Sequence, residues 1–106
     1  MTPAFRIDES ETPDGTVRLS IVGELDLATA DILAERIRTF AFEKRSVLLD
    51  LDDLGFIDST GLKVLIEAAS SSRREGWDLA LTQPPDVVRD AFAVFGVSDV
   101  LPFEQP

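Results

Sequence analysis

The sequence predicts an α/β fold: a small mixed sheet opened by an N-terminal hairpin and continued by alternating helices and strands, with the helices packed against it. Three observations lead there. Two stretches near the N-terminus alternate apolar and polar residues on either side of a Thr12-Pro13-Asp14-Gly15 turn. From Ala30 the apolar period lengthens to that of a helix, and helical segments then take turns with short apolar runs. A chain of 106 residues has room for one domain, residues 1–106, and its 44% hydrophobic content, with seven Phe and one Trp, supplies a core.

Ala4 to Asp8 reads as a half-buried strand, and Val17, Leu19 and Ile21 alternate with Arg18 and Ser20 in a second, which Gly23 ends. Ala30, Leu33, Ala34, Ile37 and Phe40 or Ala41 share one face of a helix, with Thr29 as its N-cap and Asp31 placing negative charge in the first turn. Ser46 to Leu51 suits a buried parallel strand. A loop follows, then a helix from about Ser59 to Arg74 with Leu62, Leu65, Ile66 and Ala69 inward and Gly76 as its stop. Trp77 to Thr82 is the next strand. Pro84-Pro85 open a third helix with Val88, Ala91, Phe92 and Phe95 on its apolar face and Gly96 as its stop, and Val100 to Phe103 suits a short edge strand.

Composition excludes several functions. With 20 Asp and Glu against 10 Lys and Arg the formal charge is −10, which disfavours nucleic acid and anionic lipid and suits a partner with a basic patch. The absence of His and Cys removes the usual Ser-His-Asp and Cys-His nucleophile systems and the usual zinc sites, and no cofactor is expected. No signal-peptide core opens the chain and no stretch nears the roughly 18 apolar residues of a membrane span, so a cytoplasmic location is expected.

The most informative segment is Asp50-Leu51-Asp52-Asp53-Leu54-Gly55-Phe56-Ile57-Asp58-Ser59-Thr60-Gly61-Leu62. Asp58 is placed to be an N-cap, accepting amide hydrogens from Thr60 or Gly61. Ser59 then lies in the first turn at the rim of the fold, where an anion is tolerated. Gly61 is a poor helix former, about 1 kcal/mol worse than Ala, but lets another protein's backbone approach. A capped helix start accounts for the same residues. A second strand-to-helix junction, Gly23-Glu24-Leu25-Asp26-Leu27-Ala28-Thr29-Ala30, belongs beside the first, because parallel strands put their carboxyl ends on one edge. Asp26 is then within reach of the Ser59 region or of a partner, or is simply a turn aspartate.

The two junctions in this order, with Phe56-Ile57 before Asp58-Ser59-Thr60-Gly61-Leu62 and a third helix from Pro84-Pro85 to Gly96, resemble the STAS family, and within it the bacterial anti-sigma factor antagonists. The resemblance runs from the first strand to Phe103. It implies that Ser59, directly after the aspartate, is the phosphoacceptor, and that Asp26, Thr29, Asp58, Ser59, Thr60, Gly61 and Lys63 form the partner-binding rim. It implies a non-enzymatic switch: the unphosphorylated form binds an anti-sigma factor that is also a serine kinase, freeing the sigma factor. Phosphorylation ends the binding and a serine phosphatase restores it. A monomer is expected. Lys63 stands where many relatives have Gly, and the residues after Phe103 leave no room for the terminal helix many relatives carry.

Two other readings stand beside this one. A STAS domain also serves as a scaffold or accessory subunit in a stress-sensing assembly or a lipid transporter, without sigma-factor control. Asp50, Asp52, Asp53 and Asp58 suggest an aspartyl-phosphate receiver or a Mg²⁺-dependent phosphotransferase. A receiver needs a lysine near the end of its last strand, and no Lys follows Lys63.

Overall fold

Arg6–Glu11 (β1) and Val17–Leu25 (β2) form the expected hairpin, antiparallel, with Arg6 opposite Val22 and Glu11 opposite Val17. The structure, a computed structural model, describes residues 3–104. The first strand starts later than the alternation suggests and continues through the polar run Asp8 to Glu11, because ladder hydrogen bonds to β2 hold residues that pattern alone would release.

The remaining elements are Ala30–Phe42 (α1), Val47–Asp50 (β3), Leu54–Ile57 (β4), Ser59–Glu75 (α2), Leu79–Leu81 (β5), Asp86–Phe95 (α3) and a 3₁₀ turn at Ser98–Val100. The sheet order is β1-β2-β3-β5, with β4 also paired to β2. All pairings after the hairpin are parallel. The α/β expectation holds, with four corrections.

The first concerns β2, which does not end at Gly23. That residue takes a φ of +98°, open to glycine without strain, and the ladder shifts register between Gly23 and Glu24. The strand thereby changes partner: Val17 to Ser20 pair with β3, whereas Gly23 to Leu25 pair with β4. Gly23 also lies under the N-terminal segment, where an added Cβ would stand 2.9 Å from the Pro3 carbonyl oxygen.

The second is β4 itself, which the sequence presents as loop. It has four residues, one of them glycine, and its ends Leu54 and Ile57 are buried while Gly55 and Phe56 are exposed, so it carries no period of two. The third concerns the C-terminal edge. Val100 to Phe103 form no strand; Phe103 makes one isolated parallel bridge to Leu81, since Pro102 has no amide hydrogen to continue a ladder. The fourth is that both prolines precede α3: Pro85 is its N-cap residue and Asp86 its first helical one.

The core follows from register. Val17 and Leu19, Val47 and Leu49, and Leu79 and Leu81 share one face of the sheet. They pack in one cluster with Leu33 and Ile37 of α1 and Leu62, Leu65 and Ala69 of α2. Fully burying a Leu or Val side chain contributes about 1.5–3 kcal/mol, so this cluster dominates stability. Phe92 of α3 is wholly buried, its ring 5.8 Å from that of Phe103.

Arg18, Ser20 and Asp50 occupy the opposite face. Asp50 is only 8% exposed and receives hydrogen bonds from Arg18 at 2.7 and 3.0 Å, from Ser20 at 3.2 Å and from the Asp52 amide at 3.0 Å. Burial pushes its carboxyl up, but the Asp52 amide, the Arg18 guanidinium and the Ser20 hydroxyl together outweigh that and hold it below the usual carboxylate range.

Asp50→Asn should destabilise the fold by about 1–3 kcal/mol in denaturant unfolding. Because the folded carboxyl is depressed, the unfolded chain binds the extra proton first as acid is added. The gap between wild type and variant should therefore be constant from neutrality to about pH 5 and shrink below about pH 4. A gap that grows toward acid would reverse this assignment.

Candidate functional site

Two strand-to-helix junctions meet at the end of β2, and one carboxylate joins them. Asp58 precedes α2 with extended backbone, and its Oδ1 accepts the Gly61 amide hydrogen at 2.9 Å. Of the two amides considered from sequence, Gly61 is the one used. Its Oδ2 accepts the amide hydrogen of Leu27, in the β2–α1 loop, at 3.2 Å. The Asp58 amide in turn donates to the Leu25 carbonyl at 3.2 Å. A single residue thus caps a helix and ties the other junction to it, worth about 1 kcal/mol for the cap alone. With both oxygens engaged by amides, Asp58 is placed to accept hydrogen bonds and not to deprotonate its neighbour.

Gly61 is buried, and its role differs from the one expected. A Cβ there would stand 2.5 Å from the Leu25 carbonyl oxygen and 2.8 Å from Leu25 Cγ. The backbone that approaches Gly61 is therefore β2 of the same chain, not a partner's. Glycine in the first turn lets α2 settle directly on the strand end.

Asp26 and Thr29 form a second closed unit. Asp26 Oδ1 accepts the Ala28 amide at 3.0 Å, and its carbonyl accepts the amides of Thr29 and Ala30 at 3.1 and 2.8 Å. Thr29 Oγ1 accepts the Asp26 amide at 2.9 Å and donates to the Glu24 carbonyl at 2.9 Å. The Asp26 side chain thus makes an Asx turn on Ala28, which the Thr29 hydroxyl closes from the other end. Thr29, expected as the N-cap of α1, has helical backbone and makes no side-chain cap bond to it. Asp26 spends its carboxylate on its own turn, and the link to the Ser59 region runs instead through the Leu27 amide and Asp58.

Ser59 is exposed at the first position of α2. Thr60 is half-buried and Lys63 exposed, and both line a groove of about 750 Å³ between α1 and α2. Two apolar residues missed from the sequence flank the junction: Leu27 is 77% exposed and Phe56 46% exposed. Leu27 carries a signal in hindsight, as a large apolar residue inside a turn; Phe56 carried none while β4 read as loop. Asp31, Asp53 and Glu24 are also exposed, so the surroundings are acidic. The carboxylates that suggested a receiver diverge: Asp50 faces Arg18, Asp52 accepts from Thr82 and Asp58 caps α2. Among the described residues no group of His, Cys, Asp and Glu could hold a metal ion, and no helix is long and apolar enough to cross a membrane.

The family model described as STAS domain matches residues 9–105. The anti-sigma-B factor antagonist of Listeria monocytogenes is 29% identical over 102 residues, 95% of this chain and 88% of the relative. Among solved structures, an anti-sigma factor antagonist from Mycobacterium paratuberculosis superposes with a TM-score of 0.80 at 22% identity, covering 97% of this chain and 87% of that one. The Bacillus cell fate determinant SpoIIAA in its phosphorylated form has a TM-score of 0.68 at 21% identity, covering 96% and 92%. At these identities the structural likenesses speak to fold.

Gly61→Ala tests the close approach. Helix propensity alone would make it stabilising by about 1 kcal/mol, but the clash with the Leu25 backbone should reverse the sign, for a net loss of about 1–3 kcal/mol in denaturant unfolding. Asp58→Ala should lose about 1–2 kcal/mol and speed hydrogen exchange at both the Gly61 and Leu27 amides. Faster exchange at Gly61 alone would mean that the two junctions are not joined by this side chain.

Proposed function

The chain belongs to the STAS domain family, matched over residues 9–105, and from that premise we propose that it is an anti-sigma factor antagonist switched by phosphorylation of Ser59. The unphosphorylated form binds an anti-sigma factor that is also a serine kinase, and so frees the sigma factor. Phosphate on Ser59 ends the binding, and a serine phosphatase restores it. The protein is a binding partner and a substrate; base and nucleotide come from the kinase. Asp26, Thr29, Asp58, Thr60, Gly61 and Lys63 shape or line the contact around Ser59. A single domain over residues 1–106, monomeric in the cytoplasm, completes the reading.

One observation carries it. Ser59 is an exposed hydroxyl on a rigid rim, flanked by exposed Leu27 and Phe56, while the neighbouring Asp58 is fully engaged in holding that rim. An apolar surface around a hydroxyl suits a desolvated contact, and there a phosphate of about −1.5 to −2 charge is disruptive. The helix N-terminus tolerates the same charge within the fold, so the modification acts on the partner and leaves the domain standing. The relatives' names support the antagonist role, and the likeness to phosphorylated SpoIIAA shows a phosphorylated protein of this fold.

Ser59→Ala should fold normally, bind the anti-sigma factor constitutively and take up no radiolabelled phosphate from the cognate kinase. Label entering this variant would displace the site. Ser59→Asp should weaken binding by about 1–3 kcal/mol in calorimetry, and an unchanged affinity would remove the rim from the contact.

A further inference from the structure

Lys63 lies four residues after Ser59 in α2, so the two side chains stand one above the other on one face of the helix. Both are exposed. The ion pairs among the described residues do not include Lys63, although the rim around it is acidic. Three carboxylates line the same groove, Asp31 on α1 and Glu67 and Glu75 on α2, together with the cations Arg38 of α1 and Arg74 of α2. Glu67 is four residues beyond Lys63, the weaker orientation for a helical ion pair, because the cation then precedes the anion. An anion at position 59 reverses that order and gives the stronger one.

We propose that Lys63 is the built-in counter-ion of phosphoserine 59. The inference rests on the reading of Ser59 as the phosphoacceptor. In the modification step the Ser59 hydroxyl oxygen forms a bond to the γ-phosphorus of a nucleoside triphosphate. The bond from that phosphorus to the β-γ bridging oxygen breaks, the nucleoside diphosphate leaves, and the hydroxyl proton passes to the kinase. The product places a phosphate beside Asp58, with Glu24 of β2, Asp26 of the β2–α1 loop, Asp31 of α1 and Glu67 of α2 in the surrounding rim. Each of these side chains is a carboxylate, and the Lys63 ammonium stands one helical turn from the phosphate to offset them. It favours the dianionic phosphate and draws it along the helix toward the α1–α2 groove. Lys63 is thus a positioning residue for the modified state.

The test uses full-length protein with phosphoserine installed at position 59 by genetic encoding, so that no kinase is needed, and follows the phosphate by ³¹P NMR titration. Lys63→Gln should raise the midpoint by about 0.3 pH unit, and Lys63→Arg should restore it. Arg73→Gln, which removes the same charge near the far end of α2, should leave it in place. An unmoved midpoint in Lys63→Gln, or an equal shift in Arg73→Gln, would overturn the pairing. Mass spectrometry of unmodified protein exposed to the cognate kinase tests Ser59 as acceptor separately, so either conclusion can fail without the other.

Discussion

The carboxylate of Asp58 is the fastening on which this rim depends. Its two oxygens take one amide from α2 and one from the β2–α1 loop, while its own amide returns to the end of β2. Three separate pieces of backbone are thereby fixed against one another without any long side chain reaching across. The joint is short because Gly61 allows it to be: the Leu25 carbonyl occupies the space where any other residue would put a Cβ. Polar capping and close packing are here one device, and Ser59 is held at a defined place because Asp58 before it and Gly61 after it are both committed.

The sheet is built to deliver that joint. Gly23, with its positive φ and shifted register, lets β2 leave β3 and take up β4, so that both strands end beside each other where their helices begin. Below the bulge, the Arg18–Ser20–Asp50 cluster holds the central strands on the face away from the main hydrophobic cluster, and Thr82 joins the turn after β3 to the end of β5. Order at the rim is the result of order beneath it, and in the proposed function that order is what presents a single hydroxyl to a partner.

Under the proposed function, electrostatics separate the effect of a phosphate at Ser59 on the fold from its effect on a partner. The rim belongs to a chain of charge −10, and exposed Glu24, Asp31 and Asp53 surround its apolar Leu27 and Phe56. A further anion at a helix N-terminus is stabilised by the dipole and by capping geometry, whereas the same anion facing a desolvated apolar contact beside Leu27 and Phe56 is repelled or stranded. Under the proposed function the domain and its partner respond with opposite sign to one modification.

Much of this was legible in the sequence. Local patterns determined the hairpin, the three helices, the buried strands and Asp58 as a cap, because periodicity and capping chemistry act over a few residues. Ser59 at the first turn followed from the same argument. What the sequence misjudged were features set by distant segments. β4 is too short and too unpatterned to announce itself, and it is a strand because β2 bends to meet it. Thr29 stands at the N-cap position of α1 but turns its hydroxyl back on the Asp26 amide and the Glu24 carbonyl, and Asp26 is the turn aspartate. Gly61 looked like an opening for a partner and is instead filled by the chain's own strand. Sequence alone determined which residues crowd the junctions, since composition and spacing are local. Only the tertiary structure decided which of them are spent on holding the rim and which, Ser59 and Lys63 among them, are left to act, because that depends on what the fold brings to within hydrogen-bond distance.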